Sequence, residues 1–369
     1  MLRGERNPKP PVAFSSSHIE KFPVFEILAP LPIPGSDVEL LRTSLLAFSA
    51  AGEALADAGL EPEQLGQLRV GVCIGTTVGS AMNNEDFYRD FRAGDEPEMT
   101  AIDRYLRSNP AAALARRYQL DGPCQTVVNA CSSGTDAIGL GAAWVRSGLC
   151  DVAVVGGADE LCRTTYNGFA SLMIADPGPC RPFSSQRKGL NLGEGAGILI
   201  LESAAMLGKR GRQARGYLLG YGSAVDAYHL TAPHPEGEGL QRALAECLVS
   251  SGITAEKIAF INSHGTGTPD NDRTESRVLG KLFPDTPFVA TKCYTGHTLG
   301  AAGAIEAVLT LASLEQQVLP GNVGLGVPDT GLPVHPVAEN SAIRGTVGLS
   351  ESLAFGGNNS AIMLGLEVG

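Results

Sequence analysis

Three side chains in this sequence are suited to covalent chemistry and stand where a chain can aim them into a site: Cys131, His264 and His297. Cys131 lies in PCQTVVNACSSGTDAI, residues 123–138, between a predicted strand (Gln125 to Asn129) and a predicted helix (Ser132 to Arg146). Unpaired N–H groups and the positive end of the macrodipole at such a helix start favour a thiolate over a thiol. That would make a nucleophile, although a free cysteine can equally be a small buried apolar residue. His264 in INSHGTGTPDND and His297 in TKCYTGHTLGAAGAIE both follow predicted strands in glycine-rich loops, whereas His18, His229, His234 and His335 lie in plainer contexts. Taken singly, each of the two is as compatible with a structural role as with a catalytic one. Lys292 and Glu306 flank His297 and can hold imidazoles in one orientation, or form no more than a solvated ion pair. Together Cys131, His264 and His297 form a set in which a sulfur nucleophile would work beside two imidazoles.

Composition narrows the class. The chain has 369 residues, 43% hydrophobic and 18% charged, enough for one large or two medium domains around a real core. A net charge of -11 without a basic stripe argues against a nucleic-acid partner. The eight cysteines form no CxxC pair and no short Cys/His ladder, so neither a zinc site nor a disulfide framework is indicated, and reduced thiols in a cytoplasmic protein are expected. No apolar run reaches a membrane span and no signal core follows the N-terminal charges, so the expectation is a soluble protein that is not exported. No GxxxxGK[ST] occurs, and HGTGT and GEGAG do not form a dinucleotide turn. A papain-like protease would need one histidine and would leave the second histidine loop unexplained.

The elements that must position these residues alternate. Residues Met1 to Asp37 are proline-rich and lack periodicity, which fits either an arm lying on the body or an irregular start. A helix is predicted over Leu41 to Ala58, a buried strand over Arg69 to Thr77, helices over Asn83 to Ala93 and Thr100 to Tyr118, and central strands over Asp151 to Asp159 and Gly197 to Glu202. The second half repeats the alternation, with strands at Tyr217 to Ala227, Ile258 to Asn262 and Phe288 to Thr291, and helices at Gly239 to Ser250, Thr274 to Leu282 and Gly300 to Gln317. Two strands, Thr346 to Leu353 and Ser360 to Leu366, close it around FGGNN. Each half ends in an apolar strand pair, so an α/β fold with a duplicated architecture is predicted.

In this order and at these separations, NACSSGTDAI, NSHGTGTP, TKCYTGHTLGAAGAIE and AFGGNNSA resemble the signature of elongating β-ketoacyl-acyl carrier protein synthases, condensing enzymes of the thiolase superfamily. The similarity runs from about Leu45 to Leu366 and includes CRPFSSQRKGLNLGEGAG. It implies a thiolase-like, duplicated five-layered α-β-α-β-α fold. An arm would occupy residues 1–40, a half carrying the nucleophilic cysteine 41–205, and a half carrying both histidines 206–369. The implied reaction is a decarboxylative Claisen condensation of a Cys131-bound acyl chain with malonyl-acyl carrier protein, in fatty-acid or polyketide-type biosynthesis. By this resemblance Cys131 carries the acyl group, and backbone N–H groups of Cys131 and Phe355 form the oxyanion hole. His264 and His297 donate to the enolate, Lys292 and Glu306 support them, Thr266 and Thr268 contact the phosphopantetheine arm, and Phe355 gates the pocket beside Gly356 and Gly357. No cofactor or metal is implied; the substrates arrive on acyl carrier protein, and a homodimer or heterodimer through the strand before the nucleophile is expected. A different-class alternative is a non-catalytic or chain-length-determining partner subunit.

The sequence departs from the family pattern in three places. MLRGERNPKPP stands where the family opens with a strand and glycine turn, so an edge of the first sheet is expected to be altered. GDEPEMTAID replaces a more basic stretch used for carrier docking, leaving Arg187, Lys188, Arg104 and Arg107 as cationic candidates. Ala354 and Asn358 replace glycine and threonine, which should stiffen the gating loop.

Overall fold

The computed structural model describes residues 1–32 and 40–367; part of the predicted arm, 33–39, lies outside them. The first sheet contains β1 (Val70–Gly75), β2 (Cys124–Val127), β3 (Val152–Asp159) and β4 (Gly195–Glu202), in the order β2-β1-β3-β4. The second contains β5 (Tyr217–Val225), β6 (Phe260–Asn262) and β7 (Phe288–Val289). A separate two-stranded ladder of β8 (Val318–Leu319) and β9 (Ser341–Ala342) intervenes, and the second sheet is completed by β10 (Val347–Leu353) and β11 (Asn358–Gly365) in the order β5-β11-β10-β6-β7.

Period-two burial sorts the side chains into layers. Val70, Val72 and Ile74 of β1, with Val152 and Val154 of β3, pack outward against Ala47, Ala51 and Leu55 of the helix Arg42–Ala58. Cys73, Ala153 and Val155 face inward, onto Ala137 and Ile138 of the helix Ser133–Arg146 and Ala304 and Ala307 of the helix Ala302–Gln316. Those two helices also meet Ile362 and Leu364 of β11, while Ala361 and Met363 point the other way, toward Leu240, Leu244, Val278 and Leu279. The result is helix, sheet, helix pair, sheet, helix: the five layers implied by the resemblance.

The two sheets share a plan. In the first, β1 runs parallel to β2 and β3, and β3 pairs antiparallel with β4; in the second, β6 runs parallel to β7 and β10, and β10 pairs antiparallel with β11. The second sheet adds β5, antiparallel to β11. Among the described residues no strand takes the corresponding place beside β4, which is the altered edge expected from the sequence. The arm instead crosses the shoulder of the molecule, bridging Lys9 to Val24 and Phe25 to Gly193.

Two local predictions need correction. The helix expected over Thr100 to Tyr118 is two helices, Thr100–Arg107 and Pro110–Arg117. Pro110 bars Asn109 from the α region, and the Asn109 side chain instead caps the new helix by accepting from the Ala112 N–H at 3.1 Å. The helix expected from Thr274 begins at Pro269, with Thr268 as N-cap residue, because proline at the first helical position costs no hydrogen bond.

Small residues bring the central layer close enough to join the halves. A Cβ on Gly157 of β3 would lie 2.5 Å from the Gly300 carbonyl oxygen, and one on Gly134 would lie 2.8 Å from the same atom. The turn after Cys131 is thereby packed against the loop after His297. Gly157→Ala is therefore expected to destabilise the protein by about 1–3 kcal/mol through overpacking against backbone. Gly52→Ala, on a helix where a Cβ meets nothing within 4 Å, should stabilise by roughly 0.5–1 kcal/mol. Thermal unfolding of the two variants beside the parent checks both signs.

Candidate active site

Cys131 occupies a 3₁₀ turn, Ala130–Ser132, that feeds the helix Ser133–Arg146. The turn is strained: Ala130 has φ 49°, a left-handed conformation that costs a non-glycine residue free energy. Hydrogen bonds hold it there. The Asn129 N–H donates to Ser133 Oγ at 2.8 Å, and Ser133 Oγ donates to the Ala130 carbonyl at 2.6 Å. Asp136, one turn further along, accepts from Asn129 Nδ2, Ser132 Oγ and Tyr221 Oη at 2.9 Å each, and from Ser360 Oγ. This carboxylate ties the cysteine turn to β5 and β11. Sequence reading passed over Asp136, although it stands within the NACSSGTDAI segment itself.

The two histidines arrive from the second half. His297 Nε2 lies 3.1 Å from Cys131 Sγ, and His297 Nδ1 accepts the Leu299 N–H at 3.2 Å, which leaves the proton of the neutral ring on Nε2. His264 is held in the same tautomer, because Lys292 Nζ donates to its Nδ1 at 3.0 Å. The rings meet edge to face with centroids 5.3 Å apart. Lys292 also pairs with Glu306, which the structure places one contact behind the histidines and not against them. Glu275, unnoticed in the sequence, clamps the His264 loop: its carboxylate accepts the His264 N–H, the Gly265 N–H at 2.8 Å and Asn271 Nδ2 at 3.1 Å.

Burial sets the protonation states. Both imidazoles titrate well below their ordinary value, first because they are desolvated and second because the Lys292 cation opposes a further positive charge. They are neutral N–H donors at physiological pH. Burial likewise raises the Glu306 carboxyl to about 7, against the pull of Lys292. The sulfur departs from expectation. Complete desolvation pushes the Cys131 thiol up to about 11, while Lys292 and the Phe355 N–H pull it down by less. The thiolate expected from the helix start is thus a thiol at rest, since burial outweighs the favourable dipoles.

A cavity of about 110 Å³ opens onto these groups. Cys131, His264, His297, Thr266, Thr268 and Phe355 line it, together with Phe169, Ile174, Leu190 and Leu353. Phe355 stacks on Phe169 at 5.4 Å, and Phe169 presents its edge toward His297 at 6.5 Å. Phe169, on the helix Arg163–Ser171, had no motif to mark it. Thr266 Oγ1 and Thr268 Oγ1 lie 2.9 Å apart, so these hydroxyls both brace their turn and face the cavity. Gly356 and Gly357 have φ of 86° and 80°, conformations that glycine adopts without strain, and the turn closes through Ala354 N–H to Asn358 O at 2.8 Å. One docking candidate is removed: the Arg187 side chain is only 6% exposed, bonded to Asp329 at 2.6 Å and 3.7 Å from Asp272, whereas Lys188 is exposed. Cys131, His264 and His297 are also where a metal ion could be held, their ligand atoms lying within 4.8 Å of one another. Among the described residues no helix is long and apolar enough to cross a membrane.

Known proteins resemble this chain along most of its length. Residues 39–206 match the family model described as "Beta-ketoacyl synthase, N-terminal domain", and residues 215–326 match "Beta-ketoacyl synthase, C-terminal domain". The chain belongs to the β-ketoacyl synthase family. It is 35% identical to a 3-oxoacyl-[acyl-carrier-protein] synthase 2 of Synechocystis sp. over 85% of this chain and 79% of that one. It is 33% identical to a nodulation protein E of Rhizobium meliloti over 88% and 82%. A solved ishigamide ketosynthase/chain length factor superposes with TM-score 0.92 at 31% identity, covering 99% of this chain and 93% of that chain. A ketosynthase in complex with its chain length factor from Xenorhabdus doucetiae gives TM-score 0.84 at 33% identity, covering 94% and 88%.

The raised thiol has a direct readout. Alkylation of Cys131 by iodoacetamide is expected to keep accelerating above pH 9, about tenfold per pH unit while the thiol predominates. Lys292→Met, which removes the cation, should lower the rate at a given pH. A plateau below pH 8 would contradict the assignment.

Proposed function

We propose that this chain is a β-ketoacyl-acyl carrier protein synthase that condenses an acyl group on Cys131 with malonyl-acyl carrier protein. One observation carries the reading: a sulfur, two neutral imidazole N–H donors and the Phe355 N–H converge on one cavity. In the first step the Cys131 sulfur attacks the acyl thioester. The Cys131 and Phe355 N–H groups hold the oxyanion, and the thiol proton leaves with the released phosphopantetheine thiol. Each such donor is typically worth about 3–4 kcal/mol in the transition state.

In the second step the malonyl group loses carbon dioxide, and its electron pair forms an enolate. His264 and His297 donate Nε2–H to that enolate oxygen, a role that requires neutral rings held in the observed tautomer. The enolate carbon attacks the acyl thioester, and the tetrahedral adduct collapses to the β-ketoacyl product with release of the Cys131 thiolate. Lys292 and the Phe355 N–H, the groups that oppose the effect of burial on the thiol, stabilise that leaving group. Thr266 and Thr268 line the path of the phosphopantetheine arm.

The partners that follow from this reading are acyl carrier protein and a second ketosynthase-like subunit. β2 supports the latter: it is an edge strand whose Cys124 and Gln125 are exposed, with Val128 60% exposed just beyond it.

Incubation with an acyl-acyl carrier protein followed by intact-mass measurement tests the catalytic reading against that of a non-catalytic partner subunit. An acyl adduct is expected on the parent and not on Cys131→Ala; its absence from the parent would favour the partner subunit. His264→Ala and His297→Ala should each lower malonyl decarboxylation by about 10²–10⁴-fold while adduct formation partly persists. Equal loss of both steps would sink the division of labour.

A further inference from the structure

Residues 1–32 form neither a helix nor a long strand, yet they are bound to the wall of the site rung by rung. The innermost rung is His297, whose N–H donates to the Asn191 carbonyl at 2.7 Å and whose carbonyl accepts the Gly193 N–H at 3.0 Å. The outer edge of the same segment receives the arm: the Phe25 N–H donates to Leu192 O at 2.9 Å, and Phe25 O accepts the Glu194 N–H at 3.1 Å. Both backbone groups of Phe25 and both of His297 are therefore satisfied by residues 191–194. The Phe25 ring covers Gly296, where a Cβ would stand 2.6 Å from Phe25 Cδ2.

A second set of contacts reaches the other cavity wall. Tyr166 Oη accepts the Phe22 N–H at 2.8 Å and donates to Phe22 O at 3.3 Å, and its ring meets Phe14 edge-on at 5.4 Å. Tyr166 shares the helix Arg163–Ser171 with Phe169, which faces Phe355 and His297. Phe14 and Val24 are buried in one apolar cluster with Leu190, Leu192 and Leu299, and the Leu299 N–H fixes the His297 tautomer. Arg6 pins the start of the arm to the Cys180 carbonyl at 2.5 Å, and Glu194 accepts the Ile27 N–H at 2.9 Å near its end.

We propose that this arm positions the enolate-binding wall, with Phe25 as the positioning residue acting through His297 and Tyr166 anchoring the arm at Phe22. The proposal rests on the condensation reading above and assigns a task in catalysis to a segment outside both family matches. The helix turn of Cys131 is anchored separately, by Asp136, Tyr221 and Ser360. Loosening the arm should therefore harm the two half-reactions unequally.

The full chain carrying Phe25→Ala is expected to decarboxylate malonyl-acyl carrier protein roughly ten- to a hundredfold more slowly, the scale of a small misplacement of a catalytic group. Its acylation of Cys131 by acyl-acyl carrier protein should change little. Amide hydrogen exchange should quicken at Gly193, His297 and Leu299 and stay unchanged in 133–146, and Phe25→Tyr should restore both readouts. If Phe25→Ala does not fold, Tyr166→Phe, which removes only the two bonds to Phe22, should give a smaller effect of the same pattern. Equal loss of both half-reactions, or a folded variant with neither rate nor exchange altered, would overturn the proposal. A parent protein that forms no acyl adduct would instead overturn the condensation reading, and the exchange pattern would still decide whether the arm holds His297.

Discussion

The buried ammonium of Lys292 is the interaction on which the site depends. It is 1% exposed, pairs with Glu306 and donates to His264 Nδ1. A charge removed from water this completely is tolerable only with an opposite charge and directed acceptors beside it. The resulting geometry is correspondingly specific. Burial keeps both imidazoles neutral and the Cys131 thiol protonated; the same cation adds to the first effect and opposes the second, so one charge bears on three reacting groups. Glu306 on the central helix and Glu275 on the outer helix hold this charge and the His264 backbone from opposite layers.

That arrangement constrains the fold around it. Cys131 begins one central helix, and His297 and Gly300 lead into the other. A contact of 3.1 Å between Cys131 and His297 requires those helices to approach within the reach of bare backbone. The glycines at 134, 157 and 303 supply that approach, since a Cβ at any of them would intrude on Gly300 or Thr135. The buried carboxylate of Asp159 adds a polar clamp between halves, accepting the Thr77 N–H at 2.7 Å and the Gly300 N–H at 2.8 Å. Small residues in these helices thus serve the chemistry by serving the distance.

The two sheets show how one architecture accommodates an asymmetric history. β1 to β4 and the set β6, β7, β10 and β11 share order and direction, but β5 covers an edge in the second sheet that, among the described residues, β4 leaves open in the first. The N-terminal residues are used elsewhere, along the 191–194 segment that also holds His297. An irregular, proline-rich stretch can make such contacts because each rung needs only one or two extended residues.

The sequence by itself determined the periodicities, and with them the alternation of elements: the apolar run at Val152–Asp159 fits a strand covered on both faces, and Val347–Leu353 reads as a strand. It also marked Cys131, His264, His297 and Lys292 as candidates, because each sits in a glycine-rich or turn-rich segment, and the resemblance of those segments to one family assigned them roles. The single helix predicted over Thr100 to Tyr118 ran through Pro110, where the helix in fact breaks and restarts. What required the tertiary structure was whatever depends on distance and desolvation between segments far apart in the chain. Glu275 and Phe169 carry no local signal, and Asp136, although inside NACSSGTDAI, shows its role only when folding brings these residues to His264, Phe355 and Tyr221. The state of Cys131 was decided in the same way: the local helix start favours a thiolate, and burial by the other half of the protein, which no local pattern measures, makes it a thiol.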